Sequence, residues 1–213
     1  MQYRNREEAA RLLVEKLAEF KGKNPLILAI PRGAAPMAKL IAAELGGEVD
    51  VVLVRKLGAP GNPEFAIGSI DETGWAYIAD YSGSAGGTED YLEAEKKRQL
   101  ETMRKRRAQY TPVRPSIDPA GRIVIVVDDG LATGATMISA LHAIRAKNPK
   151  LLVCAVPVAP PDTINKVARY ADAVICLQTP ANFYAVGQFY LEFLQVSDEE
   201  VVEILRESAS SHR

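Results

Sequence analysis

Five β-branched residues in a row, Ile123-Val124-Ile125-Val126-Val127, constrain this chain more than any other feature. No charge interrupts them, so the run reads as a strand buried on both faces, as in a parallel sheet. Asp128 and Asp129 follow, then Gly130-Leu131-Ala132-Thr133-Gly134-Ala135-Thr136, then Met137 to Ile144, which reads as a helix. A strand that turns into a helix presents unpaired backbone N–H groups and a positive dipole end. That is an anion site, best suited to a phosphate. Gly134 lets the backbone approach the oxygens, and the hydroxyls of Thr133 and Thr136 add donors. Asp128 and Asp129 are neighbours near a strand, so their side chains should diverge. Beside a phosphate cradle, acceptor-only carboxylates suit sugar hydroxyls or a bridging divalent metal. The site asks for a phosphorylated sugar. The plain alternative is an Asp-Gly turn ahead of an ordinary helix.

The chain around this stretch predicts an α/β domain. Its 213 residues, 47% of them hydrophobic, suit one domain with an ample core. A formal net charge of -1 gives no overall field for nucleic acid or membrane. Cys154 and Cys176 lie in apolar runs and are expected as buried reduced thiols. With only His142 and His212, a His-based metal site is not expected. No apolar run has the length of a membrane span, and the start does not resemble a signal peptide, so a cytoplasmic enzyme is expected.

Asn5 and Glu8 form a capping-box-like start, Ala9, Leu13, Leu17 and Phe20 recur at helical spacing, and Gly22 ends that helix. Leu26 to Ile30 reads as a second buried strand, Pro31-Arg32-Gly33 as a tight turn, and Ala35 to Leu45 as a helix ended by Gly46-Gly47. Ligands of open parallel sheets bind at the carboxyl ends of strands, so this turn and the one after Val127 could face one ligand. Arg32 offers a planar donor fork for a phosphate; alone, it would read as a solvated loop residue. Val51 to Val54 is expected as a third strand, Gly58 to Pro63 as a loop, Ala66 to Asp71 and Trp75 to Ala79 as a hairpin, and Ser82 to Thr88 as a mobile stretch. Tyr91 to Tyr110 is a basic, charge-mixed helix, read as a solvated face ahead of a nucleic-acid surface. Strands are expected at Leu151 to Val156 and Ala173 to Leu177, with a Pro-rich turn at Pro157 to Pro161 and a helix at Asp162 to Tyr170. An irregular aromatic segment, Ala181 to Tyr190, precedes a helix at Asp198 to Leu205 and a frayed end at Ser208 to Arg213.

Val124 to Thr136 resembles the phosphoribosyl-pyrophosphate signature of type I phosphoribosyltransferases: apolar residues, two acids, then a Thr-Gly-x-Thr loop. Arg55 to Pro63 and Phe183 to Gly187 also resemble uncharacterised predicted members of that family. The resemblance implies a mainly parallel sheet flanked by helices in a single domain, residues 1–213, with a flexible lid at about 57–110 and a small hood at about 178–195. It implies that Ala132, Thr133, Gly134, Ala135 and Thr136 hold the 5-phosphate. Pro31, Arg32, Gly33, Arg55 and Lys56 would face pyrophosphate, with a non-proline cis peptide at Pro31–Arg32. Asp128 and Asp129 would hold the ribose hydroxyls and, directly or through water, Mg²⁺; together with Arg32 they form the expected catalytic set. Tyr184, with Phe183, occupies the base-stacking position, though core packing is an equal reading for Tyr184.

Two departures bear on the acceptor. Oxopurine enzymes carry an Asp immediately before the Thr-Gly-x-Thr loop, where this chain has Ala132. They also carry a Lys on the strand after the phosphate helix, where this chain has Val156-Pro157-Val158-Ala159-Pro160. The implied reaction moves ribose 5-phosphate from phosphoribosyl pyrophosphate to a nitrogen acceptor, with an amino-bearing ring such as adenine favoured over hypoxanthine or guanine. A non-catalytic nucleotide or phosphoribosyl pyrophosphate-binding regulator and a hydrolase using water as acceptor are the other readings. The expected partners are the phosphoribosyl donor and a small acceptor, with neither membrane nor nucleic acid; a homodimer is one option for assembly.

Overall fold

Alternate residues of the apolar runs bury against opposite layers of helices, and that two-sided burial builds the core sheet. The computed structural model describes residues 2–210. Strands β1 (Leu26–Ala29), β2 (Glu48–Val51), β6 (Ile123–Val127), β7 (Leu151–Val158) and β8 (Ala173–Gln178) form one parallel sheet in the order β2-β1-β6-β7-β8. Ile27, Ala29, Ile125, Val127, Val153 and Ala155 pack with α1 (Arg6–Lys16), α2 (Ala35–Leu45) and α6 (Asp198–Ser210). Leu28, Val124, Val126, Leu152, Cys154 and Val156 pack with α4 (Ala135–Arg145) and α5 (Pro161–Val167). The inner strands β1, β6 and β7 are buried on both faces, as expected for parallel strands covered by crossover helices, while the edge strand β8 is partly exposed. Cys154 is buried and Cys176 only half-buried, both as free thiols.

A second sheet is antiparallel and falls largely within the stretch expected as a lid: β3 (Val54–Ala59), β4 (Asn62–Asp71) and β5 (Ala76–Ile78), followed by α3 (Glu89–Tyr110). The expected strand at Val51 to Val54 is corrected here. Val52 N–H still donates to Ala29 O at 3.0 Å, and the chain then leaves the core sheet to begin β3. Because Val51 to Val54 is buried throughout, the apolar pattern carries no mark of the break. The expected loop at Gly58 to Pro63 is the tight end of the β3–β4 hairpin, where Ala59 pairs with Asn62. Ser82 to Thr88 contains a short 3₁₀ turn, Gly83–Ala85, closed by Ala85 N–H to Tyr81 O and Gly87 N–H to Ser82 O.

Further along, Pro157 falls inside β7 instead of opening a turn. Strand β6 stops opposite Ala155, so the missing N–H of Pro157 lies past that pairing edge. The last helix reaches Ser210, so Ser208 to Ser210 are helical rather than frayed; residues 211–213, and with them His212, lie outside the described residues.

The antiparallel sheet is tied to α4 at one end. The hydroxyl of Ser69 donates to Ala135 O at 2.6 Å and shares a bond with Ser139 Oγ, all within the buried seam between β4 and α4. Trp75 stacks on His142 with ring centroids 3.6 Å apart. The other end of β4, Asn62 to Phe65, is exposed. Hydrogen exchange should therefore be fast at 60–65 and slow at 66–71, with the fast set slowing when a ligand binds. Uniform protection along β4 would contradict a hinge at Ala66.

Candidate active site

Strands β1 and β6 are hydrogen-bonded neighbours, with Ala29 opposite Val127 and Ile30 N–H donating to Val127 O at 3.1 Å. The turns that follow them therefore emerge side by side. Between them lies a cleft of about 310 Å³, lined by Pro31, Arg32 and Gly33 from one turn, 128–134 and Thr136 from the other, and Lys56 and Val186 from outside. Two further hollows continue it. One of about 530 Å³ runs along Arg6, Asp129 and Phe193, and one of about 300 Å³ lies under the lid beside Arg55, Glu95 and Thr136.

The phosphate loop has the geometry of an anion cradle. Helix α4 begins at Ala135 with Gly134 as its cap, at φ 79° and ψ 0°, in the left-handed region. A Cβ there would also lie 2.9 Å from Thr163 Cγ2, so Gly134 is required twice over. The Thr163 hydroxyl donates to Ala132 O at 2.6 Å and braces the loop from α5. Ile138 N–H makes the first helical bond, to Gly134 O, leaving the preceding amides at the loop. Ala135 N–H is 3.3 Å from Thr133 Oγ1. Opposite, the Pro31–Arg32 peptide is cis, at the bond where the resemblance implies one.

The acids take different partners. Asp128 Oδ1 accepts the backbone N–H of Asp129 at 2.9 Å, while Asp129 Oδ2 accepts from Arg6 Nε at 2.9 Å. Burial, then the neighbouring Asp129 charge, pushes the Asp128 carboxyl well above the usual range. Burial also raises Asp129, opposed by the Arg6 guanidinium. Gly33 lies hard against this pair: a Cβ there would overlap Asp129 Oδ2. Among the described residues no three His, Cys, Asp or Glu side chains form a metal site. Two under-compensated carboxylates fit a divalent cation that takes its other oxygens from a ligand and water.

Of the predicted residues, the cleft brings together Pro31, Arg32, Gly33, Lys56, Asp128, Asp129, Ala132, Thr133, Gly134 and Thr136. Ala135 is buried in the first turn of α4. Arg55 turns away, donating to Gln99 Oε1 on α3 at 2.9 Å. Phe183 packs on Phe189 with centroids 5.1 Å apart, and Tyr184 is 89% exposed, so neither lines the cleft.

Three participants have no motif. Arg6, 123 residues from Asp129, also donates to Leu194 O at 2.6 Å and sits 4.0 Å above the Phe193 ring. Tyr190 donates its hydroxyl to Asp129 O at 2.6 Å. Val186 packs where a Cβ on Gly130 would come within 2.6 Å of it. Bridging this strap, Leu191 N–H donates to Tyr3 O and Tyr3 N–H to Phe189 O, each at 2.8 Å, which ties the two chain ends together over the acids.

The half-buried acid pair carries a stability cost. Between its ordinary and its raised pKa, Asp128 is ionised in the unfolded chain and protonated in the folded one. Its contribution to stability therefore falls as pH rises through that window and stays lost at pH 7. Asp128→Asn should raise the melting temperature of the ligand-free protein at pH 7 by about 2–4 °C, the shift expected for roughly 1 kcal/mol in a chain of this size. The gain should disappear at acid pH. Calorimetric melts at both pH values check this; a lower melting temperature at pH 7 would contradict it.

The phosphoribosyl transferase domain model matches residues 3–194. Rv0571c of Mycobacterium tuberculosis, provisionally named a phosphoribosyl transferase, is 42% identical over 204 residues, covering 94% of this chain and 46% of that protein. The chain thus spans about half the length of the curated relatives it matches. The crystal structure of TT1426 from Thermus thermophilus superposes with a TM-score of 0.80 at 45% identity, covering 97% of this chain and 99% of that one. No helix among the described residues is long and apolar enough to cross a membrane. With the matched domain spanning both turns and the acid pair, the chain belongs to the phosphoribosyl transferase domain family.

Proposed function

We propose that this protein moves ribose 5-phosphate from phosphoribosyl pyrophosphate to a nitrogen acceptor, releasing pyrophosphate. The observation that carries this reading is the convergence in one cleft of a helix-start phosphate cradle, two carboxylates and a basic turn. The amides and hydroxyls of 132–136 take the 5-phosphate. Asp128 and Asp129 accept the ribose hydroxyls. Arg32 and Lys56 face the pyrophosphate, and Arg55 joins them only by leaving Gln99.

As the C1–O bond breaks, positive charge develops at C1 and negative charge on the departing pyrophosphate, which keeps the bonding electron pair. The acceptor nitrogen then bonds to C1 and loses its proton. Cations fixed beside the leaving group are stabilising where that charge appears. Mg²⁺, held through Asp128 and Asp129 directly or by water, would supply further positive charge to the pyrophosphate. Arg6 opposes the effect of burial on Asp129 and aims its Oδ2.

For the acceptor we propose a nucleobase, with an amino-bearing ring such as adenine ahead of an oxopurine. Ala132 and the Lys-free end of β7 offer no partner for an oxopurine's ring proton or 6-oxo group. Val186 and Leu131 supply apolar walls instead. Tyr184 could stack on a base only by folding in over the cleft mouth. The free thiols of Cys154 and Cys176 suit the reducing cytoplasm, the setting we propose.

Incubation with phosphoribosyl pyrophosphate, Mg²⁺ and a panel of bases, followed by mass spectrometry, tests the reading. A nucleotide product and stoichiometric pyrophosphate are expected. Binding with no product identifies a regulator, and ribose 5-phosphate as product identifies a hydrolase. Asp128→Asn with Asp129→Asn should weaken donor binding at least tenfold, since charge-assisted bonds each contribute about 1.5–3 kcal/mol. Efficient turnover of hypoxanthine would overturn the acceptor assignment.

A further inference from the structure

Three of the seven cations on α3 are matched on its own surface: Lys96 pairs with Glu93, Arg98 with Glu95 and Lys105 with Glu101. Arg106 behaves differently. Its side chain is only 14% exposed, and its Nε lies 2.9 Å from Oδ1 of Asp198, the first residue of α6. The hydroxyl of buried Tyr110 donates to the same oxygen at 2.6 Å. The start of α6 is itself fixed by a reciprocal cap: Glu200 N–H donates to Ser197 Oγ at 3.1 Å and Ser197 N–H to Glu200 Oε2 at 2.7 Å. Asp198 therefore has a fixed position, set by α3 on one side and its own helix on the other.

Its second oxygen, Oδ2, accepts from Arg106 Nη2 at 3.4 Å and lies 3.7 Å from Nη1 of Arg32. That distance exceeds a hydrogen bond, so the carboxylate attracts the guanidinium without clamping it. Arg32 meanwhile lines both the main cleft and the hollow beside Phe193. A guanidinium has several donor edges, and a carboxylate on one leaves the others for a ligand's oxygens. Biasing the side chain beforehand also reduces the ordering cost of binding.

Resting on the phosphoribosyltransferase reading above, we propose that Asp198 is a positioning residue: braced by Tyr110 and Arg106, it orients Arg32 toward the pyrophosphate of the donor. The basic helix α3 thereby acts on the site through the C-terminal helix rather than as a surface for nucleic acid. A purely structural role, joining α3 to α6, would not depend on Arg32.

A double-mutant cycle separates the two. Calorimetry would follow inorganic pyrophosphate with Mg²⁺, and separately ribose 5-phosphate, on wild type, Asp198→Asn, Arg32→Ala and the double variant. Asp198→Asn should weaken pyrophosphate about fivefold when Arg32 is present and hardly at all in the Arg32→Ala background, a coupling in the range of contacting residues. Ribose 5-phosphate, held on the other turn, should bind unchanged. Equal losses in both backgrounds, no loss, or an equal loss for ribose 5-phosphate would overturn the proposal. If Asp198→Asn does not fold, Tyr110→Phe releases one anchor of the same carboxylate and is read in the same cycle. A wild-type protein that binds ribose 5-phosphate but not pyrophosphate would overturn the role given to Arg32 as well. One that binds neither would overturn the phosphoribosyltransferase reading itself.

Discussion

The pairing of β1 with β6 is the constraint on which the site depends. These strands are far apart in sequence, yet their backbones bond in parallel from Leu26 opposite Val124 to Ala29 opposite Val127. From β1 the chain winds outward to β2, and from β6 it winds the other way to β7 and β8. Between β1 and β6 the helices leave in opposite directions, opening a crevice at the strand ends. Both turns feed that crevice, so the phosphate cradle and the basic turn share it without any contact designed for the purpose. The same pairing puts Ala29 opposite Val127, so the turns that carry Arg32 and Asp128 start at the same level.

What the crevice holds is costly to the fold. Two adjacent carboxylates are half-buried, and among the described residues only Asp129 has a paired cation. The fold manages this with long-range contacts from its two ends: Arg6 from the first helix, Tyr190 from the hood, and the pairing of residues near Tyr3 with those near Leu191. A second set, Asp198 with Tyr110 and Arg106, holds the other side of the cleft. Removing a buried partner of a charge usually costs more than the pair contributes, because the charge left behind is unsatisfied. The strap over Asp129 is therefore a condition for keeping the acids in place while no ligand is bound.

Much of this was legible in the sequence because it is local. The β-branched run at Ile123 to Val127, the following acids and the Gly-Thr turn state their structure within 14 residues. The convergence of two strand-turn-helix units followed from the general rule for parallel sheets. Elements marked by their own periodicity, such as Ala35 to Leu45 and the long charged helix, also lay where expected. The break between β2 and β3 was invisible because both sides of it are buried and apolar. Pro157 gave a misleading signal, since a proline past the end of a neighbouring strand is tolerated in a sheet. Arg6, Tyr190 and Asp198 could not be found because their roles are set by packing across the whole fold, where no spacing rule applies. Val186, two residues after the exposed Tyr184, lines the cleft and opens the short 3₁₀ turn Val186–Phe189.

The central claim is that the turn after β6 holds the 5-phosphate while the turn after β1 faces the pyrophosphate of one donor molecule. A crystal structure with phosphoribosyl pyrophosphate and Mg²⁺ tests it most directly. The 5-phosphate is expected on the backbone N–H groups of 132–136, the ribose hydroxyls on Asp128 and Asp129, and the pyrophosphate beside Arg32. A 5-phosphate bound anywhere else, or a donor lying outside the crevice between β1 and β6, would contradict it.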